Sequence, residues 1–175
     1  EAYDVRKEVR EQILSLGAKN IELELGEEGS GTGGYARELS AEAQQRQQQA
    51  LAEKLKKFDI IISTANIPGR KSPVLILEDA VKGMRQGSVI IDMAAANGGN
   101  CPLSEPDRVV TKYGVILVGI TNFAALVPAD ASSFFAQNLV NLIDILKDPQ
   151  GELNLQDDIV AAALATHKGE ICQRR

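Results

Sequence analysis

Residues 59–65, DIIISTA, are continuously apolar and rich in β-branched side chains until they meet the turn signal Asn66-Ile67-Pro68-Gly69. A strand buried on both faces of a parallel sheet reads this way, whereas a strand with one wet face alternates. Two further stretches have the same character, GSVIIDMA at 87–94 and GVILVGIT at 114–121. Between and after them the apolar period changes to that of a helix. Pro73 fits the opening turn of a helix whose stripe is Leu77, Val81 and Met84. The run GGNCPLSEP at 98–106 is a turn-rich crossover. Asp130 or Ser132 starts a long helix with Leu139, Ile143 and Leu146 on one face, ended by Pro149-Gln150-Gly151. Strands alternating with helices at these spacings predict an α/β fold: a doubly wound parallel sheet, Rossmann-like, joined by right-handed crossovers.

Upstream, Val9, Ile13 and Leu16 fall on one face of a helix over 7–16, which Gly17 stops. KNIELEL at 19–25 alternates, as expected for a half-exposed strand near a sheet edge. GEEGSGTGG at 26–34 is a glycine-rich loop. Ser40 caps a helix running to about Lys57, with Leu51, Leu55 and Phe58 inside and the tract QQRQQQ at 44–49 on a solvated face. Residues 1–4 read as the tail of an element, with no room for a strand and turn before the first helix, so a fragment or truncated gene product is expected. A weaker strand at 152–155 and a helical or irregular tail complete the chain.

The chain has 175 residues, 44% hydrophobic and 25% charged, which suits one soluble domain, or one plus a portion of a second. A net charge of −5 argues against non-specific nucleic-acid binding, which needs clustered Lys and Arg. Cys101 and Cys172 cannot make a disulfide framework or a four-ligand metal site, and a lone His167 leaves little for imidazole-based metal chemistry. No apolar run approaches the roughly 20 residues that span a bilayer. EAYDVRKEVR at the start is mostly charged and does not read as a signal peptide, so any membrane connection is expected through a partner.

Several strand ends carry candidate chemistry. In a dinucleotide-binding sheet, a carboxylate at the end of the second strand accepts hydrogen bonds from the adenosine ribose and repels a 2′-phosphate. Asp4 stands in such a place, with Arg6 two residues on to blunt the preference; it serves equally as a helix N-cap. Gly29, Gly31 and Gly34 match G-x-G-x-x-G, but the preceding strand is half charged and no helix follows directly. A flexible loop is the better reading, with Tyr35 at its end either folding over a ligand or docking the loop. Thr64, Ala65 and Pro68, then Asp92, Gly99 and Asn100, then Thr121 and Asn122 follow the three buried strands, where open α/β sheets bind ligands. Each of these is alternatively an ordinary turn or cap. Cys101 reads as packing rather than as a nucleophile, because no histidine is near it in sequence.

YDVRKEVREQILSLGAK, GYAREL, TANIPGR, GSVIIDMAAANGGNCPLSEP, GVILVGITN and PADASSFFAQNLVNL together resemble the NAD(H)-binding domain of proton-translocating nicotinamide nucleotide transhydrogenase, domain I of its alpha subunit. GGNCPLSEP and PADAS are specific to that family; alanine dehydrogenase shares the fold and resembles the chain less. The resemblance implies that residues 1–146 are a partial NAD-binding Rossmann domain lacking the first strand and glycine fingerprint. Residues 147–175 would then pack on a missing N-terminal domain. It places the absent strand at the centre of the sheet, between the Asp4 segment and the 59–65 strand.

The same resemblance makes Asp4 the ribose-binding acid and Tyr35 the residue of a mobile loop that closes over nucleotide, with Leu39 where the family often has Met. Thr64, Ala65 and Pro68, Asp92, Gly99 and Asn100, and Thr121 and Asn122 become the cofactor-side loops. It implies NAD as cofactor, no catalytic side chain or metal, and hydride transfer to NADP(H) on a partner domain, coupled to proton movement. It further implies an NADP(H)-binding domain and a membrane domain as partners, a homodimer, and a place on the cytoplasmic or mitochondrial matrix face of a membrane. Two alternatives stand beside it: an alanine dehydrogenase-like amino-acid oxidoreductase, and a noncatalytic truncated remnant.

Overall fold

The structure is a computed structural model that describes residues 1–27, 29–31, 36–37, 39–67 and 69–172. It divides into two compact units, Glu1–Asn122 and Phe123–Arg175. The first unit runs α1 (Val9–Ser15), α2 (Ala41–Leu55), β1 (Ile60–Ser63), α3 (Glu78–Lys82), β2 (Val89–Asp92), β3 (Val109–Lys112) and β4 (Val115–Val118). The second runs α4 (Pro128–Ile145), α5 (Asp158–Ala163), β5 (Thr166–His167) and β6 (Glu170–Ile171).

The sheet of the first unit has the order β1-β2-β4-β3. β1, β2 and β4 pair in parallel, as the three apolar runs predict; β3 adds an antiparallel edge absent from that prediction. Val115–Val118 follows Val109–Lys112 through Tyr113 and Gly114, both at positive φ (55° and 78°). That is the two-residue turn whose twist matches a hairpin.

Register puts Ile61, Ile90 and Leu117 on one face and Ile62, Ile91 and Val118 on the other. The first face is the core: Ile90, Val115 and Leu117 join Leu51 and Leu55 of α2, Ala80 and Val81 of α3, Ile76, Met84 and Cys101. The second face departs from the two-sided burial read in the sequence. Ile60 and Ile62 are 64% and 61% exposed, because β1 is an edge strand and α2 and α3, in the same unit, pack on the other face.

Ser40 caps α2 as expected, its hydroxyl accepting from the Ala43 amide at 3.2 Å. Gln47, read as part of a solvated face, is buried and donates to the Tyr3 hydroxyl at 2.7 Å. The expected strand at 19–25 is reduced to one parallel bridge, Ala2 with Asn20, although Ile21 and Leu25 are buried and Glu22 and Glu24 exposed, as the alternation requires. Leu16 is 87% exposed instead of completing the inner face of α1, because it is already the C-cap residue.

α3 starts five residues later than Pro73 suggests. The amides of Ser72, Leu75 and Ile76 donate to the carbonyls of Asn97, Asn100 and Asn100, which holds this segment extended. In the second unit α4 buries none of its residues, and 152–155 forms only a bridge, Leu153 with Lys147. α5 is capped by the Asp157 carboxylate. Among the described residues no helix is long and apolar enough to cross a membrane.

Candidate functional site

Parallel strands end on the same side of a sheet. β1, β2 and β4 therefore deliver 64–67, 93–101 and 119–122 to one edge. The first two loops are locked together. Asp92, the last residue of β2, is fully buried; its Oδ1 accepts from the amides of Ala94 and Asn100, both at 3.1 Å, and its Oδ2 from that of Cys101 at 3.0 Å. Asn100, also fully buried, accepts at Oδ1 from the Ser63 hydroxyl (2.7 Å) and the Ala65 amide (3.1 Å). Its Nδ2 donates to the carbonyls of Ala65 (2.9 Å) and Pro73 (2.8 Å). Gly99 is buried at φ +78°, and a Cβ there would lie 2.7 Å from Asp92 Oδ2.

Thr64 is exposed and Ala65 half-buried at the mouth of the site. Beyond them lies an open cavity of about 690 Å³, lined by Asn66, Arg70 and Lys71 from one loop and Asn97 and Gly98 from the other. Asn66 Oδ1 accepts from the Ser72 hydroxyl at 2.7 Å and from Asn97 Nδ2 at 3.1 Å, joining the two walls. Sequence reasoning missed Ser63, Asn66, Ser72 and Asn97. The signal was an asparagine in each of two loops after adjacent apolar strands. After β4, the Thr121 amide and hydroxyl both donate to Asp107 Oδ1, and Asn122 is exposed.

Asp4 is not a helix cap: the N-cap position of α1 is Glu8, which makes no side-chain cap hydrogen bond. Its hydrogen bonds go to Arg6, whose Nε and backbone amide donate to Oδ1 at 2.9 Å and whose Nη2 reaches Oδ2 at 2.7 Å. Burial works to raise the Asp4 carboxyl, but the hydrogen bonds and charge of Arg6 outweigh it and hold the group below its ordinary value. Among the described residues no hydrogen bond of Asp4 reaches the strand-end loops.

The base of the glycine-rich loop is pinched by a bridge between Ser30 and Ala36, and α2 begins only at Ala41, so Gly29 and Gly31 do not open a helix. Tyr35 and Pro68 lie outside the described residues. Cys101 is 1% exposed; burial pushes its thiol up, as suits packing. His167 is half-buried in β5.

The sequence and this geometry have relatives. Residues 1–174 match the family described as alanine dehydrogenase/PNT, C-terminal domain. NAD(P) transhydrogenase subunit alpha of Cereibacter sphaeroides is 43% identical over 176 residues, covering 97% of this chain and 34% of that protein. The crystal structure of transhydrogenase from Sinorhizobium meliloti superposes with a TM-score of 0.71 at 36% identity, over 97% of this chain and 44% of that one. Alanine dehydrogenase 1 of Staphylococcus aureus is more distant, 35% identical over 125 residues, 69% of this chain and 34% of that protein. The chain thus spans under half the length of these relatives. It belongs to the alanine dehydrogenase/PNT C-terminal domain family, and is more similar to these transhydrogenase relatives than to alanine dehydrogenase 1.

Proposed function

We propose that this chain is a portion of the NAD(H)-holding component of a transhydrogenase, in which hydride passes between NAD(H) and NADP(H) on a partner domain and is coupled to proton movement across a membrane. What carries the reading is the alignment of three strand-end loops, 64–67, 93–101 and 119–122, on the carboxyl edge of a parallel sheet, in a chain that matches transhydrogenase along 97% of its length. In sequence, alanine dehydrogenase 1 matches at 35% identity over 69% of the chain, against 43% over 97% for the transhydrogenase subunit, which favours the first reading over an amino-acid oxidoreductase.

The residues present fit a dinucleotide. The Asp4 carboxylate keeps 26% exposure, enough to accept from ribose hydroxyls. Thr64 and Asn122 present polar groups at exposed strand ends, and small residues such as Ala65 and Ala96 let a ligand approach the backbone. The bound nicotinamide supplies the hydride chemistry itself. The chain's own task is to orient the ligand and exclude water, so it needs no nucleophile. Asp4 holds the ribose; Thr64, Ala65, Thr121 and Asn122 border the nicotinamide side. Dimerisation, the membrane domain and the matrix or cytoplasmic face belong to the same proposal.

Titration of NADH and NADPH fluorescence against the full chain tests it. NADH is expected to bind more tightly, and Asp4→Ala to weaken it by about 1–3 kcal/mol through loss of hydrogen bonds to a charged acceptor. Equal affinity for the two nucleotides in the wild type would overturn the assignment.

A further inference from the structure

Asp92, Asn100 and Ser63 fall in the region assigned to the cofactor, yet their side chains have little left to offer a ligand. An asparagine side chain accepts two hydrogen bonds and donates two. Asn100 makes all of these to protein: Ser63 and the Ala65 amide on Oδ1, the Ala65 and Pro73 carbonyls from Nδ2. Its backbone adds more, the amide donating to Asp92 and the carbonyl accepting from Leu75 and Ile76. Asp92 spends both oxygens on backbone amides, and both residues have no exposed surface. Burying a carboxylate and an amide is costly unless they are satisfied, and this network satisfies them with main chain from three separate segments.

Those segments are the end of β1 with Ala65, the loop 94–101 and the extended stretch 72–76. The cavity lining, which includes Asn66 and Lys71 on one side and Ala96 to Gly98 on the other, lies between the points the brace ties, and Asn66 joins the two sides through Ser72 and Asn97. We propose that Ser63, Asp92 and Asn100 are positioning residues: a buried brace that sets the separation of the two loops between which the ligand sits, and not ligand contacts themselves. Gly99 belongs to the brace, since any Cβ at φ +78° would strike Asp92 Oδ2. The inference rests on the proposed cofactor reading only for the identity of the ligand; the brace itself is a statement about loop order.

The test uses Asn100→Ala, Ser63→Ala and Ser63→Thr in the full chain, each followed by hydrogen exchange and by NADH titration. With Asn100→Ala, exchange at 65–66 and 72–76 is expected to speed up by about tenfold or more, with the β2 and β4 amides little changed. Ser63→Ala removes one hydrogen bond and gives a smaller local effect, which Ser63→Thr, keeping the hydroxyl, reverses. NADH affinity is expected to fall by about tenfold for Asn100→Ala and to follow the same Ser63 order.

A uniform exchange change across the sheet for Ser63→Ala, or none at 65–76, overturns the brace. If Asn100→Ala fails to fold, the Ser63 pair still decides. If wild type binds NADH and the exchange-loosened variants bind it equally well, the positioning role is overturned. If the wild type binds no NADH while the exchange pattern holds, the cofactor reading fails and the brace stands.

Discussion

Arg6 grips Asp4 through two guanidinium nitrogens and its own amide, so the ribose-binding carboxylate proposed here starts out paired. A ligand hydroxyl must share oxygens already in use, and the neighbouring cation softens the repulsion of a 2′-phosphate. Removing Arg6 therefore has two expected effects. Arg6→Ala should let the Asp4 carboxyl rise, read as a carboxyl-carbon shift in an NMR titration, because Arg6 holds it down against burial. The sign for stability follows from a depressed folded-state value. The pair contributes fully above the unfolded carboxyl value near pH 4 and loses that contribution as pH falls through the lower folded value. The variant should thus lose stability at neutral pH and show a shallower acid dependence. The second effect is on selectivity: the NADH-over-NADPH preference should widen by about fivefold, for roughly 1 kcal/mol of unscreened repulsion in a wet site. An unchanged ratio would show that Arg6 orders the chain and does not tune the site. Asp4 and Arg6 were legible as a pair two residues apart. Their geometry was not, because nothing in the spacing says which of a ribose, a helix end or a guanidinium the carboxylate will meet first.

At the scale of elements, α2 shows where a local rule suffices. Ser40 precedes an apolar-periodic helix and caps it, and losing that hydrogen bond costs about 1 kcal/mol. Ser40→Ala should lower the midpoint of thermal unfolding by about 2–4 °C, measured by circular dichroism. No change would mean that the Glu27 carboxylate, which accepts from the Ser40 amide, fixes this end alone. The buried face of α2 was legible too, since Ala43, Gln47, Leu51 and Leu55 recur at intervals of four. Composition hid Gln47: a run of glutamines reads as solvent-facing unless the period overrides it, and its partner Tyr3 lies 44 positions away. β3 was lost for a different reason. Lys112-Tyr113-Gly114 is a hairpin turn only if a tyrosine accepts positive φ, which it rarely does. Here Lys82 stands over the Tyr113 ring and Glu78 accepts from its hydroxyl, so a neighbouring helix holds the unfavourable turn. The parallel strands were read correctly because each is a short apolar run of its own. α3 was misplaced because the backbone of 72–76 is claimed by Asn97 and Asn100, a tertiary bond that helix signals cannot report.

At the scale of the molecule, the sheet is finished on one side and open on the other. Its inner face carries Ile90, Val115 and Leu117 at no exposure, while Ile60 and Ile62 stand on the opposite face of the edge strand, each more than half exposed. Among the described residues no strand pairs with the outer edge of β1. A row of unpaired backbone groups beside two isoleucines is a template for another chain, and protein surfaces rarely leave such an apolar edge uncovered. The chain alone is therefore expected to associate with itself. Sedimentation velocity across a range of concentrations should show a rising average mass, and Ile60→Lys with Ile62→Lys together should return it to the monomer, since charged edge residues block strand addition. If association persists in that double variant, its seat is the other open apolar surface, α4, where Phe134, Phe135 and Ile143 are 73%, 65% and 63% exposed. A constant monomer mass in the wild type, with a sharp thermal transition, would show that one face of burial holds this sheet closed and that its bare edge is kinetically silent.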